Sequence, residues 1–360
     1  MKPGRTGYTT GTCAAAAAKA AALVLTGHAA PEVAEVFLPD GTPARLPVLF
    51  ARRLEGIGAE AGVRKDASSD PDVTAAQTVV ATVSWTAGPE IVFAAGEGVG
   101  TVTKPGLSVA PGEPAINPVP RQMIRQAVAA VTPRAVKVAI SIPGGRELAG
   151  KTFNPRLGIA GGLSILGTTG VVRPFSHPAL QDSLKCGVDV ATACGIASPV
   201  LVPGHIGERA ARRHFELREE QVVEVSNEWG FMLGLVARAP FQHLLALGHP
   251  GKLAKLAARA WDTHSSRSAS PVPLVAALGK TVLGRELPDT PTVEGLFKSL
   301  SAAEGQQLAC ALAGQVREQV AAFLRAANAP GPRDAAVVLI NMRGDWLGSH
   351  GDLSPWPRRQ

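Results

Sequence analysis

Val200-Leu201-Val202-Pro203-Gly204-His205-Ile206-Gly207 is the stretch on which the fold of this 360-residue chain turns. Three consecutive aliphatic residues leave a strand no wet face, and Pro-Gly ends it at once, so a helix must follow the turn. The same order recurs twice: Val222 to Val225 runs into Ser226-Asn227-Glu228-Trp229-Gly230, and Leu244 to Leu247 runs into Gly248-His249-Pro250-Gly251-Lys252. The turn glycines Gly207, Gly230 and Gly251 are thus spaced for one strand and one helix per repeat. Successive βα units of this kind predict a largely parallel sheet, with ligands beyond the carboxyl ends of its strands. That rule makes Gly204, Gly207, Asn227 and Gly248 candidate ligand contacts, and it puts His205 and His249 at equivalent places in two of the turns. A long amphipathic helix, Ala302 to Asn328, and a last strand, Ala336 to Asn341, complete this part.

Upstream the pattern is mixed. Thr12 is read as the cap of an alanine-rich helix from Ala14 to Leu25. Glu32 to Phe50 reads as two strands around Pro39-Asp40-Gly41-Thr42, and Gln77 to Trp85 with Glu90 to Ala94 as a hairpin around Thr86-Ala87-Gly88-Pro89. Asn117-Pro118 opens a helix, and Val136, Val138, Ile140 and Ile142 alternate as in a strand with one buried face. The expected class is α/β: a mixed α+β N-terminal part and a βα-repeat, largely parallel-sheet C-terminal part, in two domains. Their expected extents are 1–150 and 151–350, with 351–360 a short, polar, mobile tail.

Composition narrows the function classes. With 46% hydrophobic and 18% charged residues the chain can bury sizeable cores, and its 39 glycines and 29 prolines keep no collagen period. No uninterrupted apolar run reaches the ~18 residues of a membrane span. Lys19 interrupts the N-terminal alanine run and polar Gly7 to Cys13 precedes it, which argues against an export signal. Cys13, Cys186, Cys194 and Cys310 form no CxxC pair and have no histidine at zinc spacing, so a cytoplasmic protein with free thiols and no metal site is expected.

The net charge of +7 is concentrated: residues 104–185 hold ten basic side chains against three acidic ones. Such a segment would attract phosphates, polycarboxylates or nucleic acid. Gly96-Glu97-Gly98-Val99-Gly100 resembles a nucleotide-binding glycine pattern, but Thr101-Val102-Thr103-Lys104-Pro105 cannot open the helix that the pattern requires, so a glycine-rich bend is the better reading. More specific is Leu163 to Leu166, read as a short strand entering Gly167-Thr168-Thr169-Gly170, with Lys151, Arg156 and Arg173 around it. The turn is either a ligand cradle or a tight hairpin with capping threonines. His264, within Asp262-Thr263-His264-Ser265, is either a general base or a histidine satisfied by its neighbours.

Taken together, G-Y-T-T-G-T-C-A-A-A-A from Gly7, G-E-G-V-G-T-V-T-K-P-G-L from Gly96, I-N-P-V-P-R from Ile116, T-F-N-P-R-L-G-I-A-G-G-L-S-I-L-G-T-T-G from Thr152, G-H-P-G-K-L-A-K-L-A from Gly248 and T-H-S from Thr263 resemble the CbiD-type cobalt-precorrin-5B C1-methyltransferases. The resemblance runs in consistent order from residue 5 to about 350. It implies S-adenosyl-methionine as methyl donor and cobalt-precorrin-5B as acceptor in anaerobic cobalamin biosynthesis, and the spaced glycine turns would put the donor near Gly204, Gly207, Asn227 and Gly248. The acceptor's carboxylates would fall to Lys104, Arg121, Lys151, Arg156 and Arg173, with Thr168 and Thr169 beside them, and His264 would serve as the catalytic group. Two positions depart from the family pattern: His205 stands where Asn is usual, and Ser268-Ala269-Ser270-Pro271-Val272 replaces acidic residues after T-H-S.

A nucleic-acid-binding or RNA-modifying protein is the rival reading. It meets a shortage of aromatics for base stacking, at 4% of residues, and lacks an RNA-binding signature. Neither a nucleic-acid nor a membrane partner is expected.

Overall fold

The computed structural model describes residues 7–56, 58–66, 73–172 and 177–359. They form two compact units, Met1–His177 and Pro178–Gln360.

The first unit contains β1 (Gly7–Tyr8), α1 (Thr10–Leu25), β2 (Val33–Phe37), β3 (Pro43–Leu54), β4 (Gly58–Arg64), β5 (Thr78–Trp85), β6 (Val92–Ala95), β7 (Thr101–Val102), α2 (Pro118–Ala129), β8 (Val136–Ser141), α3 (Gly145–Ala149), β9 (Ile159–Ala160) and β10 (Val171–Val172). Six strands form one sheet in the order β2-β3-β4-β5-β8-β6. Helix α1 packs on β2 to β5 and on α2, and its alanines from Ala14 to Ala22 are completely buried. A helix in that position has to be alanine, because any longer side chain would push the sheet and α2 apart. Lys19, half-buried, escapes by donating from Nζ to the carbonyl of Glu35 at 2.6 Å. Burial pushes the Cys13 thiol up to about 12, which removes it from thiolate chemistry.

Three expectations for this unit change. The cap of α1 is Thr9, whose Oγ accepts from the Thr12 amide; Thr12 sits inside the first turn and donates from Oγ to the carbonyl of Gly170 at 2.7 Å. The segments β5 and β6 are not a hairpin: β8 lies between them, antiparallel to β5 and parallel to β6. Leu163 to Leu166 is not a continuous strand, since Leu163 and Ile165 make only isolated bridges, to Val99 and Ile116.

The second unit contains α4 (His177–Ala193), β11 (Val200–Val202), α5 (His205–His214), β12 (Val222–Glu224), α6 (Trp229–Arg238), β13 (Leu245–Gly248), α7 (Pro250–Ala257), α8 (Val272–Leu283), α9 (Val293–Lys298), α10 (Ala302–Ala326), β14 (Ala336–Ile340) and β15 (Trp346–His350). The sheet order is β12-β11-β13-β14-β15, parallel except for β15. Val200, Val202, Leu245, Leu247, Ala336, Val338 and Ile340 form one core with Ala210, Ala211, Phe215 and Trp356. The alternating residues Leu201, Ala246, Val337 and Leu339 are equally buried. Both faces are therefore covered, as a parallel sheet requires.

The segment 151–172, expected with the second part, pairs with the first: β9 with β7, and β10 with β1. The backbone ladders decide its membership where composition was silent. The expected mobile tail is also packed. Trp356 is buried and donates from Nε1 to the carbonyl of Ser198 at 2.9 Å, Glu216 donates to the carbonyl of Pro357, and Arg359 to that of His214. One large indole suffices to fasten a segment that is otherwise polar. All four cysteines are free. Among the described residues, no helix is long and apolar enough to cross a membrane.

Two outcomes follow in thermal denaturation. Ala17→Leu should destabilise the protein by about 1–3 kcal/mol through overpacking. Trp356→Ala should cost about 3–5 kcal/mol, which a mobile tail would not.

Candidate functional site at the switch point

The second sheet reverses direction at β11: the chain proceeds first to β12 on one side and then to β13 on the other. Turns that leave such neighbouring strands diverge, and ligands of open α/β sheets bind in the crevice so formed. Here that position falls between the turns after β11 and β13. A Cβ on Gly248 would lie 3.0 Å from Cδ and Cγ of Pro203. On Gly207 it would lie 3.0 Å from Cβ of Val202 and 3.4 Å from the carbonyl of Leu247. Gly204 has φ +154°, and a Cβ there would lie 3.7 Å from Oε1 of Glu224. The structure thus brings Gly204, Gly207 and Gly248 together. Helix α5 begins at His205, so its unpaired first-turn amides open at the same edge.

Glu224 is the residue that sequence reasoning missed. It ends β12, pairs with Val202 and is half-buried beside Gly204. The available signal was an acid roughly 20 residues after the first turn glycine, where a carboxylate meets a ribose in dinucleotide folds.

Asn227 lies just beyond β12 and holds the T-H-S segment to this edge. Its carbonyl accepts from the Thr263 amide at 3.0 Å, and its Oδ1 accepts from Thr263 Oγ at 3.1 Å. Buried Lys255 secures the same segment, donating from Nζ to the carbonyl of Thr263 at 3.0 Å and to Ser268 Oγ at 2.9 Å. Ser268, one of the departures from the family pattern, therefore serves as a ligand of a buried ammonium, and it also donates to the carbonyl of His264 at 2.8 Å.

His264 itself is exposed. Its Nδ1 lies 2.8 Å from Ser266 Oγ, whereas Asp262 accepts from the His264 backbone amide and pairs with Arg267 at 3.0 Å. The neighbouring carboxylate thus orders the loop rather than the imidazole ring. His249 caps α7: its Nδ1 accepts from the Gly251 amide at 3.0 Å, and Nε2 lies 2.8 Å from Glu294. His205 is exposed, with Nδ1 4.0 Å from Glu208.

The remaining candidates belong to the first unit. Lys104 and Gly158 adjoin, since a Cβ on Gly158 would lie 2.3 Å from Lys104 Cγ. Thr103 ties the two loops through the Gly158 carbonyl at 2.7 Å. Arg156 lies 5.9 Å from the ring centroid of Phe153, and Lys151 is exposed. Thr168 and Thr169 are exposed on a loop docked against the start of α1, where the Gly11 amide donates to the Leu166 carbonyl and the Thr9 amide to that of Gly170. Arg173 lies outside the described residues.

Arg121 donates to the carbonyls of Ile116 and Pro114 at 2.7 and 3.0 Å and to Glu113 at 3.1 Å, so three of its five guanidinium N–H groups hold the 113–116 loop. Arg125 stacks on Phe93 and Arg134 on Trp85. Part of the basic excess is therefore structural. The glycines of 96–100 make a bend: a Cβ on Gly98 would lie 1.9 Å from the Ile142 carbonyl, and one on Gly162 2.3 Å from that of Gly98.

A family model described as CbiD matches residues 1–174. Over 350 residues the chain is 55% identical to a Syntrophotalea carbinolica protein named cobalt-precorrin-5B C(1)-methyltransferase, covering 97% of this chain and 98% of that one. The chain belongs to the CbiD family. A Paramagnetospirillum magneticum member of the same name is 43% identical over 322 residues, covering 87% of this chain and 90% of its own. A crystal structure of the CbiD cobalamin biosynthesis protein from Archaeoglobus fulgidus is 29% identical, with a TM-score of 0.40, and the match covers 73% of this chain and 83% of that one.

In this family member Lys255→Met should cost about 1–3 kcal/mol, because the Thr263 carbonyl loses a buried donor. Amide exchange should accelerate at 262–268 ahead of global unfolding.

Proposed function

We propose that this chain is a C-methyltransferase that uses S-adenosyl-methionine to methylate C1 of cobalt-precorrin-5B, giving cobalt-precorrin-6A in cobalamin biosynthesis. The 55% identity to a protein of that name over 97% of the chain carries the reading. The glycine-bounded crevice at the switch point supports it physically.

When bound, S-adenosyl-methionine supplies a methyl group activated as a sulfonium. The chain's own residues have to bind, align and manage one proton. Gly204, Gly207 and Gly248 let backbone approach the donor without a Cβ in the way. Glu224 accepts hydrogen bonds from the vicinal ribose hydroxyls, and Asn227 holds the T-H-S loop beside them. Lys104, Lys151, Arg156 and Arg173 receive acceptor carboxylates, while Thr168 offers a hydroxyl donor beside Thr169, whose own hydroxyl donates to the Val171 carbonyl. Arg121 joins this set through the two guanidinium N–H groups that its bonds to residues 113–116 leave over. His264 takes the proton that the acceptor releases on methylation, through Nε2, with Nδ1 steadied by Ser266.

Calorimetric titration with S-adenosyl-homocysteine is the direct test. Saturable one-site binding is expected, and its absence from folded protein would overturn the donor assignment. Glu224→Gln should weaken that binding about 10-fold, the size of a charge-assisted hydrogen bond. His264→Ala should lower kcat by about 10²- to 10⁴-fold with both ligands still bound. An unchanged rate would make His264 structural.

A further inference from the structure

Lys252 is the third residue of α7, an unfavourable place for a cation. The amino end of a helix carries positive partial charge, so a lysine there is destabilised. Lys255, one turn further along, adds a like charge. The side chain is half-buried, yet Nζ makes no hydrogen bond or ion pair among the described residues. Desolvation pulls its pKa below the ordinary lysine value, Glu224 opposes that shift, and Lys255 adds to it. Lys255, by contrast, has two acceptors for its ammonium, the buried Thr263 carbonyl and the half-buried Ser268 hydroxyl. The pair thus divides into a structural lysine and one with donors to spare.

Lys252 stands in the first turn of α7, just beyond the Gly248 turn on one side of the switch point, and Glu224 borders Gly204 on the other. Two opposite, half-buried charges therefore flank the same switch point. We propose that Lys252 anchors a ligand carboxylate in the switch-point crevice, beside the diol-binding carboxylate of Glu224. This inference rests on the proposed function. S-adenosyl-methionine carries a ribose diol and an amino-acid carboxylate, which match the two charges in sign and hydrogen-bonding role. The acceptor's acetate and propionate groups are the other source of the same chemistry.

The test compares wild-type protein with Lys252→Met and Lys252→Gln by calorimetry. The probes are S-adenosyl-homocysteine and 5′-methylthioadenosine, which shares the nucleoside but lacks the amino-acid end, together with a separate acceptor titration. Both variants should melt no lower than wild type, since an ill-placed cation has been removed. S-adenosyl-homocysteine should bind about 10- to 100-fold more weakly to both, with 5′-methylthioadenosine unaffected. A loss confined to the acceptor would support the anchor and assign its carboxylate to that ligand. Equal losses for both nucleosides, or no loss with any ligand, would overturn it and leave Lys252 as a counter-charge for Glu224. If wild-type protein binds no S-adenosyl-homocysteine, the donor reading itself fails. The acceptor titration then decides Lys252 alone: weakened binding retains the anchor and unchanged binding removes it.

Discussion

The close approach of Gly248 to Pro203 is the contact on which the second unit's site depends. Two turns leave neighbouring strands at the point where the sheet changes direction, and they meet across a gap that would hold a methyl group only at 3.0 Å. A side chain at Gly248 or Gly207 would separate the turns or fill the space between them. With neither present, backbone forms the floor, and Glu224 stands at its margin, at the end of β12 beside Gly204. The same edge receives the T-H-S loop through Asn227, so one reversal of strand order gathers residues from three βα turns and a distant loop.

The first unit reaches density by a different restriction. Its central helix has almost nothing beyond Cβ, so the sheet and α2 approach it closely on both sides. The loops follow the same logic, with Gly98, Gly100, Gly145 and Gly162 packing backbone on backbone. A pattern that looks like a phosphate cradle is thereby occupied by the protein's own carbonyls. Its glycines answer to close packing, as the missing helix after Gly100 already suggested.

The repeating units from Val200 were legible because strands buried on both faces leave unbroken apolar runs that alternation cannot disguise. The β5–β6 pairing was misread for a related reason. Alternation in β8 shows that it is a strand with a wet face and a dry one, but not which two strands it separates. Thr12 was misread as the cap because Thr9, Thr10 and Thr12 are all competent, and only the docking of Gly167 to Gly170 selects among them. At the site the turn glycines were visible, whereas Glu224, Lys252 and Lys255 were not marked out as a group. In sequence, half-buried and buried charges look like surface ones. The position of His264 was legible, but the direction of Asp262 was not, since a neighbouring carboxylate can serve a backbone amide as readily as a ring.

Thr12 and Gly170 close the first unit across 158 residues, and Trp356 and Ser198 close the second across the same separation. Neither closing contact gains anything from local chain order, so the entropy of bringing distant segments together must be met before either one stabilises its core. High contact order of this kind slows folding and leaves intermediates with uncovered apolar strands. In the first unit the exposed species would be a sheet without its alanine helix seated, and in the second a parallel sheet open on the side that Trp356 covers. Both would offer edges and faces for aggregation, which makes the ends of each unit, rather than its middle, the part that governs recovery from the unfolded chain.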